Sequence, residues 1–128
     1  MPCIITKLLN GLYRWLPIIC GCHCREDRSF HYKGRPFPVC ARCTGEVTGV
    51  LAAVCSVAFW HPPVWVAALL LIPMVADGVI QARTSYESTN PRRFVTGLLF
   101  GYGLMVLFLL SLYAAFSFGV SLGERWFH

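Results

Sequence analysis

The sequence predicts an all-α integral membrane protein, and three observations lead to that class: the composition, the lengths of the apolar segments and the placement of the charges. Hydrophobic residues make up 56% of the 128 positions and charged residues only 13%, with a mean hydropathy of +0.59. A soluble domain carries about 25% charged residues, so a water-soluble enzyme with a polar shell is excluded, and so is disorder. A chain this small and this apolar needs a second solvent, which is the bilayer. Three apolar segments are long enough to use it, at 44–60, 64–80 and 94–119, the last with no charged residue. The eleven Lys and Arg outnumber the six Asp and Glu, giving a formal charge of +5. Seven of these bases lie between Lys7 and Arg42 and three between Arg83 and Arg93.

The elements follow in order. Over 3–19, Ile4, Ile5, Leu8, Leu9, Leu12, Trp15, Leu16 and Ile19 recur at helical spacing, with Lys7, Asn10 and Arg14 between them. Lys7 and Arg14 interrupt the apolar run that a signal peptide needs. The segment therefore reads as an amphipathic helix in the membrane interface, with Trp15 at headgroup depth; the alternative is a short span with Arg14 snorkelling. Residues 20–43 hold five cysteines, two histidines and five of the bases, with Gly34, Pro36 and Pro38. No sustained period runs through them, which predicts a compact loop.

Three spans put the Cys-rich loop and the 81–93 loop on one side of the bilayer. Both are basic, whereas the His61 turn and the C-terminal end carry only Arg125. The positive-inside rule places the two basic loops in the cytoplasm, so the expected protein is a multi-pass protein of the cell membrane in contact with lipid. A nucleic-acid partner is not expected, because no basic stripe interleaves with aromatics on a soluble element. Gly45, Gly49 and Ala53 on the first span, and Gly97 and Gly101 on the third, recur every four residues. Such stripes let helix backbones approach closely in lipid.

The cysteines carry the chemistry. Cys22, Cys24, Cys40 and Cys43 form C-x-C-x15-C-x2-C, with His23 and His31 nearby. Two short chelating turns joined by a loop suit a tetrahedral Zn²⁺. Free thiols are the plainer alternative, and a disulfide is disfavoured in a reducing compartment. Arg25, Arg28 and Arg42, with a helix starting near Thr44, favour thiolates for either metal or redox use. Cys3 and Cys55 sit in apolar surroundings and read as buried small hydrophobes.

Cys22-His23, Arg28-Ser29-Phe30, Gly34 and Pro38-x-Cys40-Ala41-Arg42-Cys43-Thr44-Gly45 resemble the domain-of-unknown-function 2085 family of small prokaryotic membrane proteins. The resemblance continues through Asp77-Gly78-x-x-Gln81 and Glu87-Ser88-Thr89-Asn90-x-x-Arg93-x-x-Thr96-Gly97. It implies a membrane location and this motif set, and no activity. In that pattern the residue after Cys-His is not cysteine, so Cys24 is a departure. The resemblance thus implies a ligand set of Cys22, His23, Cys40 and Cys43, with Cys24 as the rival for the fourth place. Glu46 stands where an apolar residue is expected.

Asp77 lies one turn inside the end of the second span. An ionisable group there faces the bundle interior and has a partner, Arg42 or Arg93. Gln81 shares its helical face, at four residues' spacing. Asn90 suits an N-cap and Pro91 the first helical position, which places Arg92 and Arg93 at the membrane face, where helix N–H groups favour an anion. The expected ligand-binding set is Arg28, Arg42, Asp77, Gln81, Glu87, Asn90 and Arg93. Its depth suits an anionic amphiphile or lipid-like ligand, with zinc as the organising cofactor. Two other functions fit the same residues. One is a membrane metal-dependent hydrolase or transferase with Asp77 or Glu87 as base; the other is a quinone-linked thiol oxidoreductase using Cys40 and Cys43.

Overall fold

The computed structural model describes residues 2–22 and 29–127, as four helices and one short hairpin: α1 (Pro2–Cys20), β1 (His31–Tyr32), β2 (Arg35–Pro36), α2 (Ala41–Ser56), α3 (Val64–Arg83) and α4 (Asn90–Phe127). The helix α1 ends where Gly21 takes φ of 60°, a left-handed conformation that costs glycine little. The Gly21 N–H then donates to the Ile18 carbonyl (3.3 Å) and the Cys22 N–H to that of Pro17 (2.9 Å), which closes the helix with a Schellman turn. This turn delivers Cys22 out of the helix. The apolar side chains of α1, Ile4, Leu8, Leu12 and Trp15 among them, remain uncovered by the rest of the chain. The Tyr13 hydroxyl donates to the Pro36 carbonyl at 2.9 Å and ties α1 to the hairpin.

The hairpin lies within the expected Cys-rich loop and adds two short strands to an otherwise helical chain. His31 pairs with Pro36 and Tyr32 with Arg35, antiparallel. Lys33 and Gly34 both have positive φ, 49° and 77°, as a two-residue connection of the I′ kind requires. Gly34 and Pro36 oppose a helix here, and the loop closes on itself instead. Phe30 at its base stacks edge-on against Phe37 and against Phe94 of α4.

Helix α2 starts after Cys40, three residues before the expected 44, and buries Ala41, Gly45, Gly49 and Ala53. These lie on one face, and the face meets α4 backbone to backbone. A Cβ on Gly45 would overlap the Phe94 carbonyl, one on Gly49 that of Leu98, one on Gly97 that of Arg42, and one on Gly101 that of Glu46. The reciprocal glycines are therefore a steric requirement of the contact. On the opposite side of α4, Gly103 meets Ala67 of α3, and Ala53, Ala67 and Val106 form the small core. A hydrogen bond between Ser56 and Tyr102 hydroxyls (2.9 Å) joins α2 to α4 at the same depth.

Two helices, α3 and α4, are long and apolar enough to cross a bilayer. At 16 residues, α2 is about 24 Å long, short of the roughly 30 Å hydrocarbon thickness. Helix α4 extends over 38 residues, and from Ser111 on almost all of it is exposed.

The glycine contacts give a direct expectation. Gly49→Val or Gly101→Leu should destabilise the protein by about 1–3 kcal/mol, because overpacking pushes two backbones apart. Gly119, with nothing within 4 Å of a Cβ, should accept Leu within about 0.5 kcal/mol. Thermal unfolding in one detergent, followed by circular dichroism, compares the three.

Candidate metal centre and polar site

The Schellman turn brings Cys22 to the start of α2, where Cys40 precedes the helix and Cys43 lies in its first turn. The three Sγ atoms lie within 4.8 Å of one another, with Cys40 and Cys43 at 3.5 Å. Three thiolates around one Zn²⁺ at about 2.3 Å stand about 3.8 Å apart, so the cluster fits such an ion once the Cys40–Cys43 pair opens slightly and the widest separation closes. The Cys40 backbone N–H donates to Cys22 Sγ at 3.2 Å, which favours the charged form of that sulfur.

Cys40 and Cys43 form a coupled pair. The two sulfurs share one hydrogen bond, and the Cys43 and Arg42 backbone N–H groups add to it, so the Cys40 thiol is pulled down to about 5 despite its burial. Cys43 is pushed up, because it holds the shared proton beside a thiolate and is itself half-buried. Cys20 is also raised, first by burial and then by the Glu46 carboxylate, with Cys22 and Cys40 acting in the same direction.

Cys20 and Glu46 thus border the cluster, and sequence reasoning passed over both as site residues. Glu46 carries a usable signal, since it lies three residues after Cys43 on one helix and so shares its face. Of the expected ligands, Cys22, Cys40 and Cys43 converge. His23, its rival Cys24 and the ligand-binding candidate Arg28 lie outside the described residues. His31 is exposed on β1.

Arg42, between the paired cysteines, points the other way. Its Nη2 donates to Asp77 Oδ2 at 2.8 Å, and the Asp77 side chain is only 7% exposed. Asp77 therefore has the interior partner that its position demands, and of the two expected, Arg42 is the one. Arg93 is buried too, but its Nη1 donates to Asn90 Oδ1 (3.4 Å), while Asn90 Nδ2 donates to the Ser29 carbonyl (3.4 Å). Asn90 is already helical, so the expected cap is replaced by a cross-link from α4 to the Cys-rich segment. The spacing of residues fixes which face of a helix a side chain takes, but not which neighbouring helix that face meets.

The remaining candidates divide between two clefts. Arg42, Gln81 and Glu87 line one of about 420 Å³. Asp77 lines a second, of about 450 Å³, with Pro73, Ala76 and Ile80. Tyr86, unremarked in the sequence, belongs to both. Among the described residues, three buried side-chain atoms lack a hydrogen-bond partner: Arg42 Nε, Gln81 Nε2 and Ser88 Oγ.

These features define a small helical protein of membrane character, with a thiol cluster that could hold a metal ion at one end of its helices. The chain belongs to the family described as "Predicted membrane protein (DUF2085)", which matches residues 22–107. It is similar to an uncharacterised protein of Methanothermobacter thermautotrophicus, 42% identical over 91 residues, covering 67% of this chain and 82% of that one. An uncharacterised protein of Methanocaldococcus jannaschii is 36% identical over 99 residues, covering 72% of this chain and 63% of that protein. No solved structure matches the chain.

A double-mutant cycle tests the pairing. Arg42→Gln or Asp77→Asn alone should cost about 3–5 kcal/mol, since each leaves a buried charge unpaired, and together they should cost clearly less than the sum. Asp77→Asn combined with Arg93→Gln should be additive within about 0.5 kcal/mol. Chemical denaturation in detergent micelles reads both cycles.

Proposed function

We propose that this chain is a multi-pass protein of the cell membrane in which a zinc-type Cys/His centre on the cytoplasmic side organises a polar site for an anionic or lipid-like ligand. In this reading α2, α3 and α4 all cross, α2 with its ends at a thinned or tilted interface, and α1 lies in the headgroup layer. The observation that carries the reading is the double role of the Cys40-Ala41-Arg42-Cys43 turn. Its two sulfurs face the cluster, and its arginine reaches the buried carboxylate of α3. A metal bound by Cys22, Cys40 and Cys43 would fix that turn, and with it the Arg42 guanidinium at the membrane face. When bound, the metal supplies folding free energy. Arg42 and Gln81 then offer donors to an anion, and Arg93 and Asn90 hold the start of α4 beside them.

A redox reading is favoured by one observation, the 3.5 Å approach of Cys40 and Cys43 with Cys40 pulled down. The third sulfur, from Cys22, is what inclines the site towards metal, since a dithiol couple needs only two. For the hydrolase alternative, the Asp77 carboxylate is held by Arg42, which leaves Glu87, exposed at the loop cleft, as its base.

Metal analysis and thiol counting on the purified protein separate these readings. One zinc per chain is expected, lost with Cys22→Ser, Cys40→Ser, Cys43→Ser and His23→Ala but retained with Cys24→Ser. Loss on Cys24→Ser and retention on His23→Ala would give the fourth place to Cys24. A metal-free protein with a Cys40–Cys43 disulfide would replace the metal reading with the redox one. A single cysteine introduced as Gly34→Cys should resist an impermeant thiol reagent in intact cells. Ready labelling there would reverse the orientation.

A further inference from the structure

We propose that the ligand is a single-chain amphiphile with an acceptor-rich head, of the alkyl phosphate kind, bound across the two clefts that meet at Tyr86; this rests on the polar site proposed above and names what fills it. The cleft at the loop has a polar wall, with Arg42, Gln81, Ser85 and Glu87 around it. Its neighbour runs down α3 along Pro73, Ala76 and Ile80, which have no polar side-chain atom. The ion pair and the tyrosine form the wall between them: Arg42 faces the first cleft and Asp77 the second, and Tyr86 lines both. Arg92 clasps that tyrosine, donating to its hydroxyl and lying over its ring at 5.6 Å.

The formal charges lining the pair of clefts cancel, Arg42 and Arg92 against Asp77 and Glu87. Recognition therefore falls to hydrogen-bond donors. Two are without a partner beside the polar cleft, Arg42 Nε and Gln81 Nε2. A buried donor left without a partner is unfavourable, and both are answered by one group carrying several acceptor oxygens on a small centre, as a phosphate does. Rotation of the Gln81 terminal torsion turns its amide towards such a group. The apolar cleft continues from that point along α3 towards Pro73, with Arg92 and Thr96 of α4 on its other side. An alkyl chain attached to the head would lie there, with its ester oxygen passing Tyr86. Each cleft, at about 420 and 450 Å³, falls within the usual range for a small-molecule site.

The test is photolabelling of the metal-loaded, full-length protein in maltoside micelles with a dodecyl phosphate bearing a diazirine at its chain end. Adducts are expected on the peptide containing Pro73–Ile80, and unlabelled dodecyl phosphate should suppress them about tenfold more effectively than inorganic phosphate or dodecanol. Gln81→Leu should weaken dodecyl phosphate about tenfold, and Ala76→Phe should displace the adducts from Pro73–Ile80. Equal competition by inorganic phosphate would mean a head-only site, and equal competition by dodecanol a bare apolar groove. Either result overturns this inference. Adducts spread evenly over α3 and α4, with no competition, would mean annular lipid and would overturn it as well. Zinc stoichiometry, read on the same sample, decides the metal centre independently of all these arms.

Discussion

Arg42 holds three parts of the molecule at once. Its guanidinium pairs with Asp77 of α3, its carbonyl oxygen occupies the space above Gly97 of α4, and its neighbours in sequence present the sulfurs of the thiol cluster. A carboxylate at the depth of Asp77 is costly without a partner, since desolvation penalises an isolated ion by several kcal/mol. The guanidinium must therefore stay within reach of α3, and that fixes the rotation of the first turn of α2. The position of Cys40 and Cys43 follows from that rotation. The ion pair and the sulfur cluster are thus two consequences of one helix orientation.

The same orientation is set sterically from the other side. Glycines 45, 49, 97 and 101 interleave so that each backbone lies where a side chain would otherwise be. The contact rests on close backbone packing with a few polar contacts, the kind of interface that small-residue stripes make between apolar helices. The contact begins at the level of Arg42 and Phe94, beneath the Cys-rich loop, and runs down to Tyr102. The small apolar core of Ala53, Ala67 and Val106 lies below it. The rigid part of the molecule is therefore the part that carries the chemistry, while the distal half of α4 stands clear of the other helices.

Some of the site was legible before the fold was known. The paired cysteines announced a cluster through their types and spacing, and three of the described ones meet. Asp77 announced a buried partner through its depth, and it has one. Which arginine pairs with it was not legible, because Arg42 and Arg93 both stand in the first turn of an apolar helix, and the sequence does not say which of those turns faces Asp77. Asn90 misled for a related reason. Its type and the proline after it signal a helix start, and α4 does begin there, but its amide caps nothing and is drawn to Ser29 and Arg93, partners 61 residues and 3 residues away. Tyr86 and Cys20 gained their places only when separate segments were brought together.

The sequence by itself determined the apolar, membrane-like composition of this protein, its helical class and the chemical character of its two polar segments. Those properties depend on local quantities, on how many apolar residues run between charges and which side chains stand a few positions apart. Membership of the family could be read in the same way, from motifs contiguous in the chain. The tertiary structure decided what pairs across helices: Arg42 with Asp77, Cys22 with Cys40 and Cys43, and a tyrosine between two clefts. The helical period fixes the direction of a side chain about its own axis, but the distance and rotation between axes come from packing. Here the glycine faces of α2 and α4 set that packing, and the buried charge of Asp77 fixes where the first turn of α2 must point.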